Sequence, residues 1–246
     1  MKSSFLNRFQ QDRTFWLVVL ATLVAFVLLY ARVSVGILLS LVALVVAITI
    51  HECTHAWVAS LLGDPTGRLQ GRVSLNPMRH LDPFGSLMML LTVLTGFGIG
   101  WGKPVPVSPR RLRPNPKVGN GLVALSGPLS NLLLGVILGL VLRVSGPALP
   151  RWLWSLLSAL ATTNVIIGFF NLVPLPPLDG FSVLLAVFSL FRGHWAFQTT
   201  EFLHRIERYG PVLLLAVIFL GQFVGLNLLG WLVWAPAQAL LGAVVG

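Results

Sequence analysis

The stretch ILLSLVALVVAITIHECTHAWVASLL, residues 37–62, decides the fold. From Ile37 to Ile50 it carries no charged residue, and then His51, Glu52 and His55 fall within five positions. A run of this length covers a ~30 Å hydrocarbon core as one helix. On a helix, residues four apart stand on one face, so the two imidazoles can meet one metal ion. The intervening glutamate then reaches the water on that metal and can act as a general base. Ionisable side chains cost several kcal/mol in lipid and are seldom passive there. The bland alternative is a helix end whose polar groups snorkel to water, because Gly63-Asp64-Pro65 stops the helix only eight residues beyond His55. Cys53 lies off the His–His face and reads as a small apolar filler.

Composition agrees with a lipid-facing surface. Of 246 residues, 56% are hydrophobic and 10% charged, with a mean hydropathy of +0.86. A soluble domain carries about 25% charged residues. The lone Cys53 excludes an internal disulfide. The net charge of +10 sits between apolar segments, which points to the positive-inside rule, not to nucleic acid.

Working outward, an apolar run at 15–30 follows Lys2, Arg8 and Arg13 and reads as a retained first span with its basic end in the cytoplasm. Residues 66–83 and 103–117 are basic loops. If both are cytoplasmic, the apolar stretch 84–101 must enter and return on one side as a re-entrant segment. Gly67–Leu75 reads as a short strand pair. Further spans are expected at 122–142 and at 152–173, the latter running into the proline-rich turn that ends at 180. An apolar helix over 181–191, an amphipathic surface helix over 192–210 and a C-terminal span region at 211–246 complete the chain. The expected architecture is a single all-α polytopic membrane domain over 1–246. It has about five to six transmembrane helices, a re-entrant segment and small β-hairpin elements.

A catalytic zinc takes three protein ligands and keeps one position open. Val58 and Leu61 stand where the elongated metzincin motif needs Gly and His, which excludes that class. Glu201 and Glu207 lie in a surface-like charged segment, Asp64 reads as a turn or cap residue, and Asp82 as solvated. Asp179 follows three prolines at the end of a span. Irregular backbone at membrane depth survives only where it is buried in protein or lines a wet cavity. Asp179 is therefore the expected third ligand, with helix capping as a compatible second role.

HExxH in a membrane helix, followed by Asn171-Leu172-Val173-Pro174-Leu175-Pro176-Pro177-Leu178-Asp179-Gly180, resembles the site-2 protease family of intramembrane zinc metalloproteases. Asn76-Pro77, Pro83-Phe84-Gly85, Gly102-Lys103-Pro104 and Ser126-Gly127-Pro128 are similar to its bacterial branch. The resemblance implies one Zn2+ per chain held by His51, His55 and Asp179, with Glu52 as catalytic base and Asn171 contacting substrate. It implies a multi-pass protein of the bacterial inner membrane, with its active site nearer the cytoplasmic side. Its partners would be the bilayer and a transmembrane protein substrate, hydrolysed in regulated intramembrane proteolysis. Many relatives carry a PDZ or CBS domain; neither fits here. Asn131 reads as helix–helix glue, and His80, His194 and His204 receive no catalytic role.

Two rivals predict different patterns. A transporter would spread polar residues over several spans, whereas here they concentrate at HExxH and Asp179. A zinc-binding scaffold would close its site with four ligands, often cysteines.

Overall fold

The computed structural model describes residues 35–95, 100–224 and 228–246, together with Leu17 and Ala21. The span expected over 15–30 lies, apart from those two positions, outside the described residues. Every regular element among the described residues is helical. They are α1 (Val35–Leu61), α2 (Thr66–Leu69), α3 (Pro83–Thr95), α4 (Pro116–Ser145), α5 (Arg151–Leu172), α6 (Asp179–Leu190), α7 (His194–Glu207), α8 (Gly210–Val224) and α9 (Leu228–Val245).

Among the described residues, three helices are long and apolar enough to cross a membrane: α1 with 27 residues, α4 with 30 and α5 with 22. Helix α3, where a re-entrant segment was expected, has 13 residues. At 1.5 Å per residue it spans about 20 Å, short of the hydrocarbon thickness. Helices α6, α8 and α9 are apolar and shorter than the three spans. Helix α7 is amphipathic: Trp195, Phe197 and Phe202 are exposed, and its polar side carries the Arg205–Glu201 ion pair at 2.6 Å.

The expected strand pair over 67–75 does not form. Asp64 accepts hydrogen bonds from the Thr66 amide and hydroxyl and starts α2 instead. The Gly71 and Arg72 amides then turn back onto Arg68 O and Gly67 O, each at 2.9 Å, which uses the donors a ladder would need. The strand-like pairing among the described residues is one isolated antiparallel bridge, Leu81 to Gly102.

Helix α4 is the hub and packs on α1, α5, α6 and α9. Its positions 127, 131, 135 and 139 recur every four residues and so share one face. Gly135 lies against Val165 and Ala161 of α5, and Gly139 against Val244 of α9. Without side chains at these points the backbones approach closely, the usual basis of helix association in lipid. Asn131 adds hydrogen bonds from its Nδ2 to Ala47 O of α1 (3.0 Å) and to Asn164 Oδ1 of α5 (2.8 Å).

The two basic loops meet at one end of this bundle. Asp64 is fully buried there and accepts from the Ser108 amide at 2.6 Å, while the Arg113 amide donates to Leu62 O at 2.9 Å. Burial alone would raise the Asp64 carboxyl, but the hydrogen bonds from Ser108 and Thr66, with Arg111 nearby, outweigh it and hold the group below its ordinary value. At the turn, Gly63 has φ +106°, and a Cβ there would stand 3.0 Å from Arg111 O. Asp82, expected to be solvated, accepts from the Gly85 amide at 2.8 Å in the first turn of α3.

Candidate metal centre

His51 and His55 sit one turn apart on α1, both buried, with ring centroids 4.5 Å apart and planes at 89°. Asp179 comes from the first turn of α6. Its Oδ2 lies 2.9 Å from His51 Nε2 and 3.3 Å from His55 Nε2. Two ligands each about 2.0–2.1 Å from a tetrahedral ion stand roughly 3.3 Å apart, so the spacing suits one shared metal. The three residues form one group whose ligand atoms lie within 4.8 Å of one another.

Hydrogen bonding fixes which nitrogens face that point. The Asn131 amide group already donates to two carbonyl-type oxygens, so its Oδ1 is left to accept. His51 Nδ1 lies 2.6 Å from that oxygen and must carry the proton. His55 Nδ1 donates in the same way to Val123 O at 2.7 Å. Both Nε2 lone pairs are therefore free for a metal, the arrangement that outer partners impose on ligating histidines. Two imidazoles and one carboxylate are the donors of a catalytic zinc site with an open position.

The backbone around the site is shaped for close approach. A Cβ on Gly127 would lie 2.5 Å from His55 Nε2 and Cε1 and 2.8 Å from His51 Cε1. One on Gly180 would run into Leu172 O and C and Val173 O, so the residue after Asp179 must be glycine for α6 to start against the end of α5. The turn that delivers Asp179 is anchored by Val173 and Leu178, which bury themselves with Leu214 of α8 and Val233 of α9. No side-chain hydrogen bond caps α6, so the Asp179 carboxylate is directed to the histidines, not to its own helix end.

Glu52 follows His51 on α1, and its carboxylate has the loops as neighbours. Its Oε2 stands 3.9 Å from Arg72, and Gly102 approaches so closely that a Cβ there would be 3.5 Å from Glu52 Oε1. Asn171 donates from Nδ2 to Ile167 O in its own helix at 3.0 Å. His194 pairs with Gln198 and His204 with Glu207 on the surface of α7. His80, by contrast, is fully buried and donates through Nε2 to Ser74 O at 2.7 Å. The sequence reading missed the packing role of Gly127, the buried His80 and the approach of Arg72. The four-residue recurrence of small residues around Asn131 was the available signal for the first; nothing in the sequence separates Arg72 from the other loop arginines.

Residues 144–217 match the model of peptidase family M50, a stretch that contains Asp179. "Putative zinc metalloprotease YwhC" of Bacillus subtilis is 39% identical over 150 residues, covering 58% of this chain and 66% of that protein. "Putative zinc metalloprotease Rip2" of Mycobacterium tuberculosis (strain H37Rv) is 30% identical over 188 residues, 76% of this chain and 66% of that protein. "Zinc metalloprotease MJ0392" of Methanocaldococcus jannaschii is 24% identical over 158 residues, 62% of this chain and 35% of that protein. The chain thus spans just under two thirds, or less, of these relatives. No solved structure matches it.

Proposed function

Since this chain belongs to peptidase family M50, we propose that it is an intramembrane zinc endopeptidase that hydrolyses peptide bonds in or near transmembrane segments of other membrane proteins. The observation that carries this reading is the meeting of His51, His55 and Asp179 within one ligand-sized space beside Glu52, on a helix able to cross a membrane. His51, His55 and Asp179 would hold the metal. Bound zinc would lower the pKa of a water and polarise the substrate carbonyl.

The chain's own groups supply the rest. Asn131 and Val123 hold the imidazoles in the metal-binding tautomer and orientation. The Glu52 carboxylate takes the proton of the attacking water and returns it to the leaving amide nitrogen. A helical peptide bond hides its carbonyl in the i to i−4 ladder, so the substrate must be locally extended where it enters. The irregular turn before Asp179 and the loop near Gly102 border the site, and Asn171, one turn before that proline-rich stretch, is the nearest candidate for a substrate contact. The basic loops at the same end support a site on the cytoplasmic side of a cell membrane, the side that the positive-inside rule gives to such loops.

The test compares the wild type with Glu52→Gln in membranes, against a panel of tagged single-span substrates, with zinc content measured on both. The expected outcome is equal zinc and a loss of cleavage of at least about a hundredfold, the lower end of the range for removing a general base. Wild-type protein that binds no zinc would overturn the reading. Zinc without cleavage by either protein would favour the scaffold.

A further inference from the structure

Among the described residues outside the three clustered ligands, Arg72 and His80 each keep a buried side-chain nitrogen without a hydrogen-bond partner, and Arg72 is the one that faces Glu52. Arg72 lies in the loop after α2, only 4% exposed, and its Nε has no hydrogen-bond partner. A buried guanidinium is expensive, and burial without full pairing is the exception that requires an explanation. Two groups face it. One terminal nitrogen donates to Lys103 O. It also lies 3.9 Å from Glu52 Oε2, with both side chains largely buried. Lys103 is itself fixed, because its amide donates to His80 O at 2.6 Å, and His80 is anchored in turn through Ser74 O. The Leu81–Gly102 bridge ties the same two loops together. The whole assembly ends as a rigid mount with one charged group turned to the carboxylate beside the metal ligands.

We propose that Arg72 is a positioning residue for Glu52: the guanidinium, clamped by the Lys103 carbonyl, orients the Glu52 carboxylate toward the metal centre. This rests on the protease reading of Glu52. The planar fork suits the task, since it can hold a backbone carbonyl with one nitrogen while keeping its charge on the carboxylate. Lysine offers a point charge on a flexible stem and cannot keep both contacts in fixed geometry. Glu52 is one residue from a ligand on the same helix, and its backbone is already set by α1. What the helix does not set is the rotation of its long side chain, and that is the freedom Arg72 removes.

The experiment uses the full chain in detergent micelles and in membranes, with Arg72→Met and Arg72→Lys beside the wild type. Zinc content and KM for a single-span substrate should stay within about twofold. A kcat 10- to 100-fold lower is expected for Arg72→Met, the usual loss when an outer partner of a metal site is removed. Arg72→Lys should recover part of it, and added methylguanidine should partly restore Arg72→Met. An arginine that merely supported the loop would lower the folded fraction and would not respond to methylguanidine. A second readout does not depend on activity. In zinc-free protein, the thermal midpoints of Arg72→Met, Glu52→Gln and the double variant should be non-additive, the double losing less than the sum of the singles. Additive midpoints, or an Arg72→Met kcat equal to or above that of the wild type, would overturn the proposal. A wild type that does not cleave would sink the protease reading while the midpoint cycle still decides whether Arg72 and Glu52 are coupled.

Discussion

One methyl group at position 127 would occupy the space of two imidazole edges. Gly127→Ala places a Cβ 2.5 Å from His55 Nε2 and 2.8 Å from His51 Cε1, so either the rings or α4 must move. The rings are held by short hydrogen bonds to Asn131 and Val123, and those come from α4 as well. Displacing one therefore disturbs the other. Zinc affinity is expected to fall by about 10- to 100-fold, the range seen when outer support of a metal site is lost, as measured by competition with a chromophoric chelator. Gly242→Ala, which meets nothing within 4 Å, is the matched control and should bind zinc as the wild type does. At this scale, the meeting of His51 and His55 was legible from their helical spacing, and that of Asp179 with them from the proline-rich turn that precedes it. Gly127 and Arg72 were not, because their value lies in what approaches them across the fold.

The element most dependent on charge is the turn after α1. Asp64 accepts locally from the Thr66 amide and hydroxyl and ties the turn to the second basic loop through the Ser108 amide. Its carboxyl is held below the ordinary value, because these donors outweigh the burial that would raise it. The sign follows from linkage: a depressed folded value means the ionised form binds the fold more tightly than the protonated form. The contribution is thus complete above the ordinary carboxylate range and disappears as pH falls through the depressed value. Asp64→Asn should therefore lower the thermal midpoint in micelles at neutral pH, and the gap to the wild type should narrow on acidification toward pH 3. A gap independent of pH would mean that shape, not charge, ties the loops. Helix boundaries here were readable from Gly63 and Pro65, and the long apolar runs gave α1, α4 and α5 closely. The strand pair was misread because Asp64 supplies a local partner for the backbone, and such side-chain competition with a ladder is decided by three-dimensional neighbours.

For the whole molecule, the loop contacts constrain how the chain threads the bilayer. The end of α1, the loop after it, the loop before α4 and the turn before α6 all meet at the metal-bearing end. Residues 146–150 join α4 to α5 at the far end. Since α3 spans about 20 Å, it can leave and return to one side, which puts residues 68 and 110 in the same compartment. Arg68→Cys and Arg110→Cys, made in a Cys53→Ala background, should both react with a membrane-impermeant maleimide in inverted vesicles and be protected in intact cells. Ala148→Cys should show the reverse pattern. Labelling of 68 and 110 from opposite sides would make α3 a true crossing and would place Lys103, the clamp on Arg72, across the membrane from Arg72. That is sterically incompatible with the observed hydrogen bond between them, so the labelling also tests whether the loop assembly above Glu52 exists in the membrane.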